Sequence, residues 1–227
     1  MRRLLVPALP AIGVRVQAGP DASHHLLNVL RARPGDRLRL SDGAGTAAVG
    51  VFLGADEHGR ALFTVDALLD AVRVPDRVVL LGLPKPALLE EALTLGAEGG
   101  ATRFLLVRGR YSPPGATRPD RLERVLRAAV TQCGRPDLPA VHGPSSLEEA
   151  LDEVPSGARW LAAPNASPVE TPGTEEPATV AIGPEGGWSP DEVGLLQTAG
   201  FLPLGLGPFV LRTPSAVGAA LARLWVG

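Results

Sequence analysis

The chain reads as α/β, in two units in series: a small, arginine-bearing β-barrel followed by a larger α/β domain built on a parallel sheet. Three observations predict this. Residues 1–70 carry short alternating segments separated by Gly and Asp turns, the mark of half-buried strands closing on one another. From residue 78 onward, continuous apolar runs alternate with helical patterns, as strands buried on both faces of a parallel sheet do. Near the C-terminus, two apolar segments each run through a glycine-rich loop into a helix, the junction at which such sheets bind ligands. The boundary falls near Pro75, giving units of 1–72 and 73–227.

In the first unit, Leu4–Val6 and Val14–Val16 are strand candidates. Asp21 to Leu30 is helical, with Leu26, Leu27, Val29 and Leu30 on one pattern. Pro34-Gly35-Asp36 is a turn. Arg37 to Ser41 alternates polar and apolar, and Asp42-Gly43 to Gly45 joins it to strands at Ala47–Leu53 and Ala61–Val65. Seven arginines, among them Arg2, Arg3, Arg31 and Arg33, fall in the first forty residues against only Asp21 and Asp36, so this unit carries a candidate phosphate-contacting face; an ordinary solvated face is the competing reading.

In the second unit, Val78–Leu83 is a buried strand, and Pro84-Lys85-Pro86 ends it before a helix over Ala87–Gly96. Phe104–Val107 is the next strand, with Arg108, Arg110 and Tyr111 at its C-terminal end. Asp120 to Cys133 is a helix in which Asp120 and Glu123 have capping-box spacing. Leu122, Val125, Leu126, Ala129 and Cys133 form its buried stripe, and Arg121, Arg124 and Arg127 recur at three-residue spacing. Leu147–Val154 is a short helix, Arg159–Ala162 a strand, and Asn165–Pro177 an exposed loop. Val180–Ile182 then enters Gly183–Gly187. Ser189 and Glu192 have capping-box spacing, Pro190 suits the first helical position, and Trp188 with Val193 have the spacing of a hydrophobic staple. Gly205–Pro208 forms the second loop, Thr213 the cap and Pro214 the start of the last helix.

Composition narrows the function. The net charge is −2, but residues 1–140 hold 19 basic against 14 acidic side chains, and residues 141–227 hold 3 against 10. A nucleic-acid contact therefore belongs mainly on the first 140 residues. A single cysteine, Cys133, excludes a disulfide framework and a cysteine metal cluster, and the four histidines show no ligand spacing, so no metal is expected. Prolines 7 and 10 break the apolar N-terminus, which argues against a signal peptide; with no long apolar run, no membrane partner and a cytoplasmic location are expected. No Gly-x-x-x-x-Gly-Lys-Ser/Thr is present, and Gly205-Leu-Gly-Pro-Phe-Val lacks the third glycine of a dinucleotide fingerprint.

The segments Ile182-Gly-Pro-Glu-Gly-Gly187, Leu206-Gly-Pro208 and Leu211-Arg-Thr213 resemble those of the RsmE family of the SPOUT superfamily. His25 to Asp36 resembles that family's HxxxVLRxxxGD signature, and Gln132-Cys-Gly-Arg135 with Pro139 its eQsgR…lP motif. The resemblance implies a PUA-like RNA-binding barrel, a methyltransferase domain whose C-terminal segment threads a deep trefoil knot, and a homodimer. It implies S-adenosylmethionine-dependent methylation of N3 of a uridine in 16S ribosomal RNA, on the assembled small subunit. Carried over by position, Ile182, Gly183, Pro184, Glu185, Gly186, Gly187, Leu206, Gly207, Leu211, Arg212 and Thr213 would hold the cofactor, with Glu185 and Arg212 as catalytic candidates. An ion pair between those two, tying the loops together, is the structural alternative. Lys85, Arg110 and Arg135 join Arg2, Arg3, Arg31 and Arg33 as RNA-contact candidates. This chain departs from the family pattern at Leu95, Phe209, Pro214 and Ser215. Two other readings stay open: a non-catalytic RNA-binding or ribosome-assembly protein on the same fold, and a methyltransferase for another RNA.

Overall fold

A computed structural model describes residues 1–70, 74–115, 117–164, 166 and 175–225. The chain forms two compact units, residues 1–73 with 130–138, and residues 74–129 with 139–227.

The first unit is a five-stranded sheet in the order β1-β3-β4-β5-β2, from β1 (Arg2–Leu5), β2 (Arg15–Gln17), β3 (Arg37–Ser41), β4 (Ala47–Ala55) and β5 (Ala61–Leu69). β1 runs parallel to β3 and the other pairings are antiparallel. Alternation does its work on β3, where Leu38 and Leu40 are fully buried between exposed Arg37 and half-buried Arg39. Leu26, Phe52, Phe63 and Val65 complete the core. β1 and β2 are the two ends of this order; β2 is only three residues long, and prolines 7 and 10 lie between them in the chain. The expected helix over Asp21–Leu30 is α1 (Pro20–His24) followed by one π-helical turn, His25–Val29, and Gly19 caps it without a side chain.

Residues 130–138 are the unforeseen part of this unit. The Leu138 amide donates to the Gly43 carbonyl at 2.8 Å and that of Gly45 to the Pro136 carbonyl at 3.3 Å. Gly134 adopts φ +80°, and a Cβ there would lie 2.8 Å from Arg3 Nε, while Arg3 donates to the Gln132 carbonyl.

The second unit is a fully parallel six-stranded sheet in the order β11-β9-β10-β6-β7-β8: β6 (Arg77–Gly82), β7 (Arg103–Val107), β8 (Ala140–Ser145), β9 (Ala158–Ala162), β10 (Ala178–Ile182) and β11 (Leu202–Leu204). Every residue of β6 and β10 is buried, as central strands covered on both faces require. On one face Leu105, Val107, Leu161, Leu196 and Phe201 pack with α4 (Leu147–Asp152) and α5 (Pro190–Thr198). Trp188 and Val193 both pack on this core. On the other face α2 (Pro86–Glu98) meets α6 (Thr213–Trp225) at glycines: a Cβ on Gly96 would stand 2.5 Å from Phe104 of β7 and 3.3 Å from Val217 of α6, and one on Gly99, the cap of α2, 3.1 Å from Leu221. α3 (Pro119–Cys133) starts one residue before the expected cap, so Asp120 lies inside its first turn; its last turn belongs to the first unit. α6 likewise begins at Thr213 itself. The edge strands β8 and β11 escape a sequence reading because β8 carries Gly143-Pro144 on a largely exposed stretch and β11 is three residues around Pro203. Most of the expected loop over Asn165–Pro177 lies outside the described residues.

Candidate functional site

The site lies where the parallel strands end. β6 runs into 83–86, β7 into 108–115, β10 into 183–189 and β11 into 205–212, and parallel strands deliver all four loops to one edge of the sheet.

The loop after β10 folds back on itself. The Gly187 amide donates to the Pro184 carbonyl at 2.8 Å, and Gly187 takes φ +73°, which favours glycine. A Cβ on Gly183 would lie 2.9 Å from the Gly187 carbonyl carbon and 3.0 Å from its Cα; one on Gly186 would lie 2.7 Å from Tyr111 Cβ. The loop is thus packed tightly on itself and on Tyr111, and only glycine fits at these positions. Ser189 and Glu192 form the capping box that starts α5, the Ser189 amide donating to Glu192 Oε2 at 2.7 Å. The other carboxylate oxygen of Glu192 accepts from the Arg110 amide at 2.8 Å. One side chain thus fixes the loops after β7 and β10 together.

The second glycine loop joins the first through Thr213, whose hydroxyl donates to the Gly183 carbonyl at 3.3 Å. Gly207 takes φ +131°. Leu206 is half-buried, and Phe209 and Val210 are 80% and 83% exposed. Leu211 and Arg212 are exposed, and Ile182 and Pro184 are buried at the floor. The loops expected to hold a cofactor are therefore brought together. The pairing of Arg212 with Glu185, the structural alternative to their catalytic roles, is not made. Arg212 reaches Glu91 on α2 at 3.5 Å, and Glu185 accepts from the Lys85 amide at 3.4 Å. The Arg212 pair is half-exposed or more on both sides, so it is a weak tether.

The RNA-contact candidates divide between the units. Lys85 and Arg110 sit on exposed loops beside the site. Arg31 and Arg33 are exposed on the first unit, Arg31 at φ +49°, an uncommon backbone for this residue type. The other three are engaged in holding structure. Arg2 pairs with Asp36 at 2.7 Å and donates to the Leu30 carbonyl at 3.1 Å, fixing the turn that displays Arg31 and Arg33. Arg3 holds the 130–138 segment. Arg135 forks onto Asp137, its Nε at 3.0 Å from Oδ1, with a side chain only 10% exposed. Sequence reading placed Tyr111 at the ligand end of β7 but missed Glu192 and Glu91 as site-shaping residues; a capping glutamate beside a glycine loop was the one signal that could have found Glu192. Among the described residues there is no group of three or more His, Cys, Asp or Glu placed to hold a metal, and no helix long and apolar enough to cross a membrane.

Residues 73–225 match the family model of an RNA methyltransferase domain, and residues 18–63 that of an RNA methyltransferase PUA domain. The chain is 34% identical to a ribosomal RNA small subunit methyltransferase E of Mycobacterium tuberculosis (strain CDC 1551 / Oshkosh), over 97% of this chain and 90% of the relative. A Synechocystis protein of the same name is 31% identical, over 98% and 76%. Among solved structures, a ribosomal RNA small subunit methyltransferase E from Neisseria gonorrhoeae bound to S-adenosyl methionine superposes with a TM-score of 0.88, at 28% identity, covering 99% of this chain and 98% of that one. A Legionella pneumophila methyltransferase in complex with the same cofactor superposes with a TM-score of 0.84 at 25% identity, covering 98% and 96%.

Proposed function

The chain belongs to the ribosomal RNA small subunit methyltransferase E family, and from that premise we propose that it methylates ribosomal RNA of the small subunit with S-adenosylmethionine, at N3 of one uridine of 16S RNA. The observation that carries this reading is the joined pair of glycine loops, tied by Thr213 to the Gly183 carbonyl, with Gly183 folded so closely on Gly187 that a Cβ has no room. Gly183 to Gly187, with Ile182 and Pro184 beneath, and Leu206, Gly207, Leu211, Arg212 and Thr213 opposite would hold the cofactor mainly through main-chain groups. The substitutions at Phe209 and Pro214 leave such a backbone-built cradle in place. When bound, S-adenosylmethionine supplies a methyl group already activated on a sulfonium.

The remaining chemistry belongs to the protein and the base. N3 of uracil carries a proton, and losing it leaves negative charge on O2 and O4. Glu185, exposed at the lip of the first loop, takes the role of proton acceptor, directly or through water. Arg212, loosely held by Glu91, is free to turn toward the developing oxygen charge. N3 lies on the pairing edge, so the base must be extruded or already single-stranded. Arg31, Arg33, Lys85 and Arg110 contact phosphates, residues 1–72 act as the PUA-like RNA-binding domain, and residues 73–227 act as the methyltransferase domain. The exposed Phe209 and Val210 support a homodimer in which the knotted domains pack together, and the work is cytoplasmic.

Labelled S-adenosylmethionine with unmodified small subunits, followed by mapping of the methylated nucleotide, tests the reading. Label at N3 of one 16S uridine is expected. Glu185→Gln and Arg212→Ala should each slow transfer about 100-fold, the range of one general base or one charge-stabilising group; native rates would remove that residue from the mechanism. Cofactor binding without label on 16S RNA would move the substrate to another RNA, and no cofactor binding would leave an RNA-binding protein on a methyltransferase fold.

A further inference from the structure

A cavity of about 470 Å³ opens between the first turns of α2 and α3, at the C-terminal ends of β6 and β7. Its walls are apolar and rigid in type: Leu83, Pro84 and Pro86 on one side, Pro113, Pro114 and Leu122 on the other. Its polar groups are few and charged. Glu90 and Arg121 form a two-point pair, with contacts at 2.5 and 3.0 Å, and Arg118 stands at the rim with a side chain 70% exposed. The Glu90 carboxylate, by hydrogen bond first and then by charge, pushes the Arg121 guanidinium up, so it stays cationic. The wall loop is fixed in advance: Arg108 donates to the Gly115 carbonyl at 2.9 Å, the Ser112 hydroxyl accepts from the Gly109 amide at 3.1 Å, and Glu192 holds the Arg110 amide.

No residue of 183–187 or 205–213 lines this cavity, so it is not the cofactor cradle. It is nevertheless its neighbour. Glu90 faces the cavity while the next residue, Glu91, reaches Arg212. Consecutive helical residues diverge by about 100°, so one turn of α2 addresses both places.

We propose that this cavity receives a nucleobase flanking the target uridine in the same RNA, an inference that rests on the methyltransferase reading. The volume lies within the range of small-ligand pockets and matches a nucleotide. Proline and leucine faces offer planar apolar contact of the kind that bases seek in single-stranded recognition. The Glu90–Arg121 pair sets an acceptor beside donors, the complement of a base's pairing edge. Arg118 at the rim is placed for the attached phosphate. The occupant is not the target base, because a uracil whose pairing edge is engaged here cannot present N3 to a methyl donor held between the glycine loops.

The test uses the full chain. Ala87 lines the cavity and is exposed, so Ala87→Phe fills it from the surface; Arg118→Glu reverses the rim charge at a site too exposed to unfold the protein. The probes are the four nucleoside 5′-monophosphates, followed through the methyl resonances of Leu83 and Leu122, and unmodified small subunits in a methyl-transfer assay. Expected are nucleotide-dependent shifts that Ala87→Phe abolishes, and a KM for the subunit raised about tenfold in both variants with the KM for S-adenosylmethionine unchanged. Both variants keeping the native subunit KM would overturn the proposal. So would shifts with a native KM, which would mark a free-nucleotide site. Failure of the methyltransferase reading is distinct: the unaltered protein would then transfer no label at all.

Discussion

The two edges of the parallel sheet are built on opposite rules. At the C-terminal edge the loops are glycine-rich, exposed and tied by single contacts, such as Thr213 to Gly183 and Glu192 to Arg110. At the N-terminal edge, Arg77 is fully buried at the start of β6. It donates to the Glu176 carbonyl and, at 3.3 Å, to the Leu224 carbonyl near the end of α6, and its guanidinium lies 5.2 Å from the Trp225 ring centroid. Trp225 in turn donates to the Gly99 carbonyl at 2.7 Å. Burial pushes the Arg77 guanidinium down, yet arginine remains charged, and carbonyls and a ring face replace its water. One edge thus fastens the end of α6 while the other keeps main-chain groups open to a ligand. Stability and binding are separated along the strands.

The sharpest way to break this comparison is Arg77→Met. It should cost about 3 kcal/mol, since carbonyls that lose a buried cation stay buried without it, while cofactor affinity per folded molecule is unchanged. Urea unfolding and calorimetry read the two quantities. Trp225→Phe, losing one hydrogen bond, should cost about 1 kcal/mol in the same assay. If either variant instead loses cofactor affinity at native stability, the edges are not independent. At the other edge, Gly183→Ala must displace main-chain atoms of Gly187 and Trp188, so cofactor binding should fall at least tenfold, or about 1.4 kcal/mol, with stability nearly native. The smallest effect lies away from both edges. In the β4–β5 turn, the Arg60 amide first, then the Gln17 side chain and the His58 amide, hold the Asp56 carboxyl below its usual value. A depressed carboxyl pKa stabilises the fold above the unfolded value, near 3.9, and that contribution disappears as pH falls through the folded value. Asp56→Asn should therefore narrow the difference between urea midpoints at pH 6 and pH 3 and leave both sheet edges untouched.

Much of this was legible from the residues. The runs Val78–Leu83 and Val180–Ile182 gave buried strands because no polar side chain interrupts them. Ser189, Pro190 and Glu192 gave the start of α5 because a capping box is satisfied within four residues. The two glycine loops and their meeting at one sheet edge followed from strand–loop–helix order. The partners of charged side chains were not legible. Nothing near Arg212 in sequence marks Glu91, and Arg2, Arg3 and Arg135 look like free basic residues until Asp36, Gln132 and Asp137 are found beside them.

The sequence by itself therefore determined most elements, their alternation and the two glycine loops, since periodicity, caps and turns are settled over a few residues. Only the tertiary structure decided that residues 130–138 join the first unit, that Arg77 is buried under Trp225, and that Glu90 and Glu91 face two different places. Each of these depends on groups brought together across long stretches of chain. Such a contact forms only after the loop between its partners has closed, and no local pattern records which partner will be met.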